Sequence, residues 1–112
     1  MLKETELPKW FKYPSEFNIL LDQNLLDFDP WIILTGDRLR QRYVGIQKRY
    51  PDRNIIPFAR REDNDDVACF EQNNGVVIIH DFASSGYEKG GKSLLFWDWF
   101  RMVIEDMIEY NF

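Results

Sequence analysis

A run of apolar segments separated by turn-forming residues limits most strongly what this chain can fold into. The run spans residues 54–81, and its apolar segments are residues 55–61, 67–71 and 76–81. β-branched and aromatic side chains dominate these segments, and such a composition between turn residues is typical of β-strands. The sequence therefore predicts three strands that follow one another closely along the chain.

The link between the last two predicted strands is Asn73-Asn74-Gly75. Because Asn-Gly tolerates the positive φ angles of a tight hairpin turn, these strands are predicted to be antiparallel neighbours, with Gly75 at positive φ. The last strand is apolar on both faces at residues 76–79. This pattern predicts a central strand that is covered on both sides.

The link between the first two predicted strands is acidic, and we call residues 62–66 the acid turn. It consists of Glu62, Asp63, Asn64, Asp65 and Asp66, and four of these five side chains are carboxylates. A calcium loop needs oxygen ligands at alternating positions, and this pattern fails after two ligands because Val67 and Ala68 follow. A weaker Mg²⁺ site through one or two carboxylates is the alternative, and we expect no metal site. A solvated turn and a surface that faces a partner both remain open as interpretations.

Apolar residues at spacings of three and four predict helices on either side of the strands. We expect helices at residues 13–23, at residues 38–50 with Asp37 as the cap, and from residue 93 to about residue 110. Residues 31–34 are expected to form a short edge strand. The predicted fold class is α+β, with an antiparallel-dominated or mixed sheet of four or more strands packed against the C-terminal helix.

The predicted helix at residues 38–50 carries arginines beside its apolar stripe. The stripe consists of Leu39, Tyr43, Ile46 and Tyr50, and the arginines are Arg38, Arg42 and Arg49. One interpretation is a solvated flank whose aliphatic stems lie on apolar surface. The other is a stripe that faces an anion or a carboxylate.

Composition narrows the class of protein. The 112 residues are 45% hydrophobic and 16% aromatic, which predicts one domain, residues 1–112, with a real core. We expect a cytoplasmic protein with no membrane segment, because no apolar run approaches ~20 residues, no signal-peptide core is present and a single cysteine excludes an internal disulfide. The net charge of −5 disfavours nucleic acid and suits a basic partner.

Candidate catalytic residues are few. His80 and Cys69 are the only histidine and the only cysteine, and a catalytic pair would need their side chains to meet. Both fall in predicted strands, where Cys69 is typical of a small core residue and His80 of a strand end tied to Asp81 or to a loop carbonyl. Ser84 and Ser85 follow nearby without a nucleophile-elbow motif. We predict no enzymatic activity and no cofactor.

The strand region resembles the SUKH superfamily, whose members include fungal cell-wall assembly regulators and bacterial toxin-immunity proteins. The resemblance rests on Ile56-Pro57-Phe58-Ala59, the acid turn, Val67-Ala68-Cys69-Phe70 and a strand that ends in His80-Asp81, within roughly residues 31–100. Asn64-Asp65-Asp66 stands where the family turn usually contains Gly-Asp. The resemblance implies a bacterial immunity protein that neutralises a cognate toxin by occluding its surface.

The acid turn is the predicted contact surface for a protein partner, which could be a basic toxin domain. The partner-binding residues we expect are Asp63, Asp65 and Asp66, with Trp31, His80 and Tyr87 as aromatic or polar anchors. The alternative function is a regulatory or scaffold domain that binds a host protein or peptide. The sequence does not predict an oligomeric state.

Overall fold

The computed structural model describes residues 1–82 and 93–112, and these residues form an α+β fold. The strands are β1 Asp27–Phe28, β2 Trp31–Ile33, β3 Ile56–Arg61, β4 Asp66–Phe70 and β5 Val76–His80. The helices are α1 Ser15–Asp22, α2 Gly36–Arg49 and α3 Phe96–Asn111, and short 3₁₀ turns lie at Glu4–Glu6 and Gln72–Asn74. The predicted fold class is confirmed. None of the helices in the described ranges is long and apolar enough to cross a membrane.

Every strand pairs antiparallel with the next one along the chain, so the sheet order is β1-β2-β3-β4-β5. Among the described residues β5 is the last strand of this order, and Val76 also forms an antiparallel bridge to Leu94. The central position of β5 therefore stays a prediction. Apolar side chains on both faces of β5 indicate cover above and below the sheet, and they do not fix the place of a strand within it.

The hairpin between β4 and β5 forms as predicted, but its left-handed residues differ. Asn73 and Asn74 have φ angles of 67° and 62°, whereas Gly75 has a φ of −64°. The prediction of a positive φ at Gly75 is therefore wrong. A Cβ atom at position 75 would collide with the side-chain oxygen of Ser93, so any other residue here would force that hydroxyl to move.

Three smaller expectations also change. Asp27–Phe28, expected as part of a turn, is the outermost strand β1, and so β2 is an inner strand. The cap of α2 is Thr35, with no side-chain cap hydrogen bond. Asp37 lies in the first turn of α2, where its negative charge interacts favourably with the positive end of the helix dipole.

Large aromatic side chains fill the face of the sheet that α1 and α3 cover. Phe58 of β3 and Phe70 of β4 stack with ring centroids 4.1 Å apart. Trp99 of α3 meets Phe58 edge to face at 4.8 Å, and Phe17 of α1 does so at 5.4 Å. Offset and edge-on ring contacts of this kind add to the gain from burial, so they fix both helices on this face.

Smaller side chains fill the opposite face, which α2 covers. The buried group consists of Ile46, Tyr50, Ile55, Val67, Cys69, Val77 and Ile79. Neighbouring residues of β4 alternate between the two faces, so Val67 and Cys69 point towards α2 while Ala68 and Phe70 join the aromatic core. The sheet is thus covered on both sides, by α1 and α3 on the aromatic face and by α2 on the other.

Candidate functional site

The acid turn and the end of β5 meet at one end of the sheet. The register of the strands pairs Asp66 with His80, and the backbone N–H of Asp81 donates to the carbonyl of Asp65 at 3.0 Å. Asp81 and Phe82, which follow β5, therefore lie beside the acid turn.

Two of the predicted acidic contacts are already engaged within the chain. Asp63 accepts hydrogen bonds from the guanidinium of Arg61 on both carboxylate oxygens, at 2.9 Å each. Asp66 is 2% exposed, and its carboxylate lies 3.1 Å from Nδ1 of His80. Asp66 therefore supports the turn from inside and does not supply the surface contact that the sequence suggested.

The remaining acidic groups of the turn face solvent. Glu62 and Asp65 are exposed, and neither forms an ion pair within residues 1–82 and 93–112. The free negative charge that the acid turn offers is therefore smaller than its four carboxylates imply.

Two of the three predicted anchor residues lie among the described residues, and these two differ in exposure. Trp31 is 1% exposed, and its indole N–H donates to the carboxylate of Asp106 on α3 at 2.9 Å. Trp31 is therefore a core residue, which corrects its expected role at the surface. The side chain of His80 is 37% exposed and remains accessible, while Tyr87 lies outside the described residues, as do Ser84 and Ser85.

Cys69 lies in the core below α2 and does not meet His80. Its register partner is Val77, whereas His80 pairs with Asp66 at the end of β4. Cys69 is fully buried, and burial raises the pKa of its thiol. A thiol held in its neutral form is a poor nucleophile.

The centre of this end of the sheet is Asp81, whose side chain has no solvent exposure. Arg49 of α2 donates to both carboxylate oxygens, at 2.9 and 2.7 Å. Arg42, two helical turns earlier, donates to one of them at 2.8 Å, and the backbone N–H of Phe82 donates to the other at 2.8 Å. We call Arg42, Arg49 and Asp81 the ion clamp, because these residues tie α2 to the end of β5.

The ion clamp sets the protonation state of Asp81. Burial by itself raises the pKa of this carboxyl, but the hydrogen bonds from Arg49 and Arg42 outweigh burial, so the pKa lies below its ordinary value of 3.8. Nearby, burial and then the negative charge of Asp81 raise the pKa of Tyr50. Asp81 is therefore a stable anion at neutral pH, and the two guanidiniums are its counter-charge.

Phe82 is held in an unusual conformation beside the ion clamp. Its φ angle is 65°, a left-handed value that a bulky residue seldom adopts. Phe82 is 63% exposed, and the guanidinium carbon of Arg49 lies 4.1 Å from the ring centroid, which is cation–π distance. The chain thus presents an aromatic ring at the surface, on a left-handed backbone and against a guanidinium.

A pocket of about 330 Å³ opens between α2 and this end of the sheet. Its lining is Leu34, Arg38, Gln41, Arg42, Arg49, Arg60 and Phe82. Two of these arginines belong to the ion clamp. Arg38 and Arg60 form no ion pair with any residue that the structure describes, so their guanidiniums are available to a ligand.

A β-bulge turns Arg60 towards this pocket. Residues two apart on a regular strand share a face, so Arg60 would lie beside Phe58 in the aromatic core. The pairing of β3 with β4 slips between Pro57 and Ala59, and such a slip moves the following side chains to the other face. Arg60 accordingly lines the α2 pocket, whereas Arg61 reaches Asp106 of α3 at 3.3 Å.

The chemistry available in this pocket is recognition of an oxyanion. Guanidiniums present fixed forks of N–H donors that match carboxylate and phosphate oxygens. Within the described ranges no group of three or more His, Cys, Asp or Glu side chains could hold a metal ion. Arg42 and Arg49 of the arginine stripe do face a carboxylate, but it is the internal carboxylate of Asp81. The interpretation of the stripe as a surface for an external anion stays a prediction.

Sequence reasoning missed the two residues that complete the site, Asp81 and Arg60. A signal for Asp81 was present: an acid directly after an apolar strand, and arginines spaced seven apart, which places them on one helix face. No local signal marks Arg60, because the bulge that turns it is a property of the strand pairing.

Comparison of the chain with protein-family models, with curated proteins and with solved structures finds no match.

Proposed function

We propose that this chain is a non-enzymatic protein-binding domain that acts as a bacterial immunity protein and neutralises a cognate toxin by covering part of its surface. The toxin-immunity role rests on the resemblance of the strand region to the SUKH superfamily. The binding role rests on one structural observation, the exposed ring of Phe82, which stacks on Arg49 at the end of the sheet.

Phe82 has the attributes of a binding anchor. Backbone strain of this kind persists where surrounding contacts hold it, and it clusters at functional positions. Here the hydrogen bond from Phe82 to Asp81 and the stacked guanidinium of Arg49 supply those contacts. An exposed aromatic ring that is already ordered loses little conformational entropy when a partner covers it, which favours tight binding.

Charged groups on both sides of Phe82 would give such an interface its specificity. The acid turn offers Glu62 and Asp65, and the pocket offers Arg38 and Arg60. Charges that surround an apolar anchor mainly determine which partner is accepted and how fast it associates. A toxin surface complementary to this end of the sheet would carry an apolar recess between a basic and an acidic patch.

The test replaces Phe82 by glycine. Glycine adopts a φ of 65° without strain, so Phe82→Gly removes the ring and should leave the melting temperature unchanged or raise it. Phe112→Ala is the matched control, because Phe112 is 97% exposed at the end of the chain. Each variant is co-expressed with the toxin encoded beside it, and growth and the Kd of the purified pair are measured.

We expect Phe82→Gly to weaken toxin binding by roughly 30-fold or more, the scale of an interface hot spot, and to abolish protection, while Phe112→Ala behaves as the parent. Full protection by a folded Phe82→Gly variant would refute the proposed surface. If no neighbouring toxin is neutralised and a host protein binds in a Phe82-dependent way, the alternative function as a regulatory or scaffold domain replaces the immunity role.

A further inference from the structure

We propose that the pocket between α2 and the end of β5 is a binding site for a phosphate monoester, with Arg38 and Arg60 as its direct ligands. The ion clamp and Phe82 form the walls of this site. The inference uses Arg38, Arg60 and Phe82 of the surface proposed above, but it concerns a bound group and does not depend on the identity of any protein partner.

The charge of the pocket favours an anion. Four arginines line it, and Asp81 is the carboxylate that binds two of them. Among the described residues this leaves a formal charge of +3 at the pocket, in a chain whose net charge is −5. Positive groups concentrated in a concave site focus the electrostatic potential and attract a multiply charged anion more strongly than exposed charges would.

The arrangement of the donors favours phosphate over carboxylate. Arg38 projects from the first turn of α2 and Arg60 from β3, so the two guanidiniums approach the pocket from different elements. A carboxylate has two oxygens in one plane, so it forms paired hydrogen bonds with the fork of one guanidinium, as Asp81 does with Arg49. A phosphate monoester has three terminal oxygens arranged around a centre and a charge of about −2, which suits forks that converge from separate directions.

The site is ordered in advance of binding. Asp81 holds Arg42 and Arg49 at 2.7 to 2.9 Å, so these side chains do not collapse into the pocket or fold outwards. The bulge in β3 places Arg60 on the pocket face. Ordered walls reduce the entropic cost of binding, and the guanidiniums of Arg38 and Arg60, which have no internal carboxylate partner among the described residues, are the donors that select the ligand.

The size of the pocket also limits the ligand. A volume of about 330 Å³ exceeds that of a phosphate group and leaves room for a small organic body against the ring of Phe82. Glu62 and Asp65 of the acid turn lie on the same end of the sheet, and their charges would repel a nucleic-acid backbone. One phosphate ester, carried by a small molecule or by a phosphorylated side chain, fits these limits.

The experiment titrates the full chain with inorganic phosphate, phenyl phosphate, a phosphoserine peptide and acetate, and follows the NMR signals of the arginine Nε–H groups. Arg38→Gln combined with Arg60→Gln removes both direct ligands. Lys48→Gln combined with Arg101→Gln is the matched control, because it removes the same charge at exposed positions outside the pocket. Melting curves establish that all variants are folded.

We expect the phosphate ligands to bind the parent at least about tenfold more tightly than acetate, and the Arg38/Arg60 variant to lose about tenfold or more in affinity while the control changes less than about twofold. Tighter binding of phenyl phosphate than of the peptide identifies a small-molecule ester, and the reverse order identifies a phosphorylated protein. Absence of phosphate binding, equal binding of acetate, or an equal loss in the control would each overturn the proposal.

Discussion

The two faces of the sheet are held to their helices in different ways. Towards α1 and α3 the contacts are between large rings, such as the Phe58–Phe70 stack at 4.1 Å and the Phe58–Trp99 contact at 4.8 Å. Towards α2 the buried side chains are mostly smaller and aliphatic, and the ion clamp adds hydrogen bonds with fixed geometry at one end.

This difference between ring packing and the ion clamp indicates where a binding site can form on such a fold. Ring packing depends on close contact throughout the face, so an opening there would remove part of its stabilisation. Hydrogen-bonded charges hold α2 at defined points, so a gap can persist beside them. The pocket lies beside the ion clamp, and its walls are the clamp's own arginines.

The largest effect is expected on the aromatic face. Phe58 is completely buried, and Phe58→Ala should lower the free energy of unfolding by about 3–5 kcal/mol through lost transfer energy and a cavity. Urea unfolding measures the change, and Phe112→Ala serves as the exposed control. A loss below that of the ion-clamp variant described next would contradict the assignment of the aromatic face as the main source of stability.

A smaller effect is expected at the ion clamp. Asp81→Asn keeps the shape of the side chain and leaves Arg42 and Arg49 without their counter-charge. Breaking a buried ion pair typically destabilises by 3–5 kcal/mol, and because these arginines are 18% and 28% exposed, we expect about 2–3 kcal/mol at pH 7. Loss of the pocket's NMR signals should accompany it, because the walls are no longer fixed.

The pH dependence separates the two faces most sharply. The pKa of Asp81 is lowered in the folded chain, so its contribution to stability is complete above the ordinary pKa of 3.8 and is lost as the pH falls through the folded value. The gap between parent and Asp81→Asn should therefore shrink below pH 3.8. The gap between parent and Phe58→Ala should stay constant, and a matching decline there would refute the distinction.

The smallest effects are expected in the acid turn, where neighbouring carboxylates should differ. Asp66→Asn should cost about 1–2 kcal/mol, because Asp66 is buried against His80. Asp65→Asn should change stability by less than about 0.5 kcal/mol, because Asp65 is exposed. Equal effects in urea unfolding would contradict the placement of these side chains. If Asp63, Asp65 and Asp66 were neutralised together, a change in binding could not be assigned to lost surface charge alone, because the fold would be destabilised as well.

The sequence predicts the elements of this fold well because each carries a local signal. Turn residues and apolar alternation reveal β3, β4 and β5, and helical spacing reveals α1, α2 and α3. The place of β5 in the sheet has no local signal, since apolar residues on both faces indicate cover above and below the sheet and do not identify the neighbouring strands. Gly75 shows the same limit: its constraint is the approach of Ser93, a residue distant in sequence.

The site was less predictable because it depends on pairings across the chain. Asp66 and Trp31 have residue types common at interfaces, and only tertiary packing shows that both are buried. Arg60 would be placed in the core by regular alternation, and a slip of one residue reverses that placement. The protein-partner role, the toxin and the SUKH resemblance remain predictions that the experiments above can test.

The buried thiol of Cys69 can be used to measure transient opening of α2 away from the sheet. Cys69 is the single cysteine of the sequence and lies between α2 and the sheet, where its raised pKa keeps it unreactive. Modification by a thiol reagent then requires α2 to lift away, so the rate of labelling reports the free energy of that opening without any added dye or mutation. Slower labelling in the presence of a pocket ligand would show that the ligand holds α2 down.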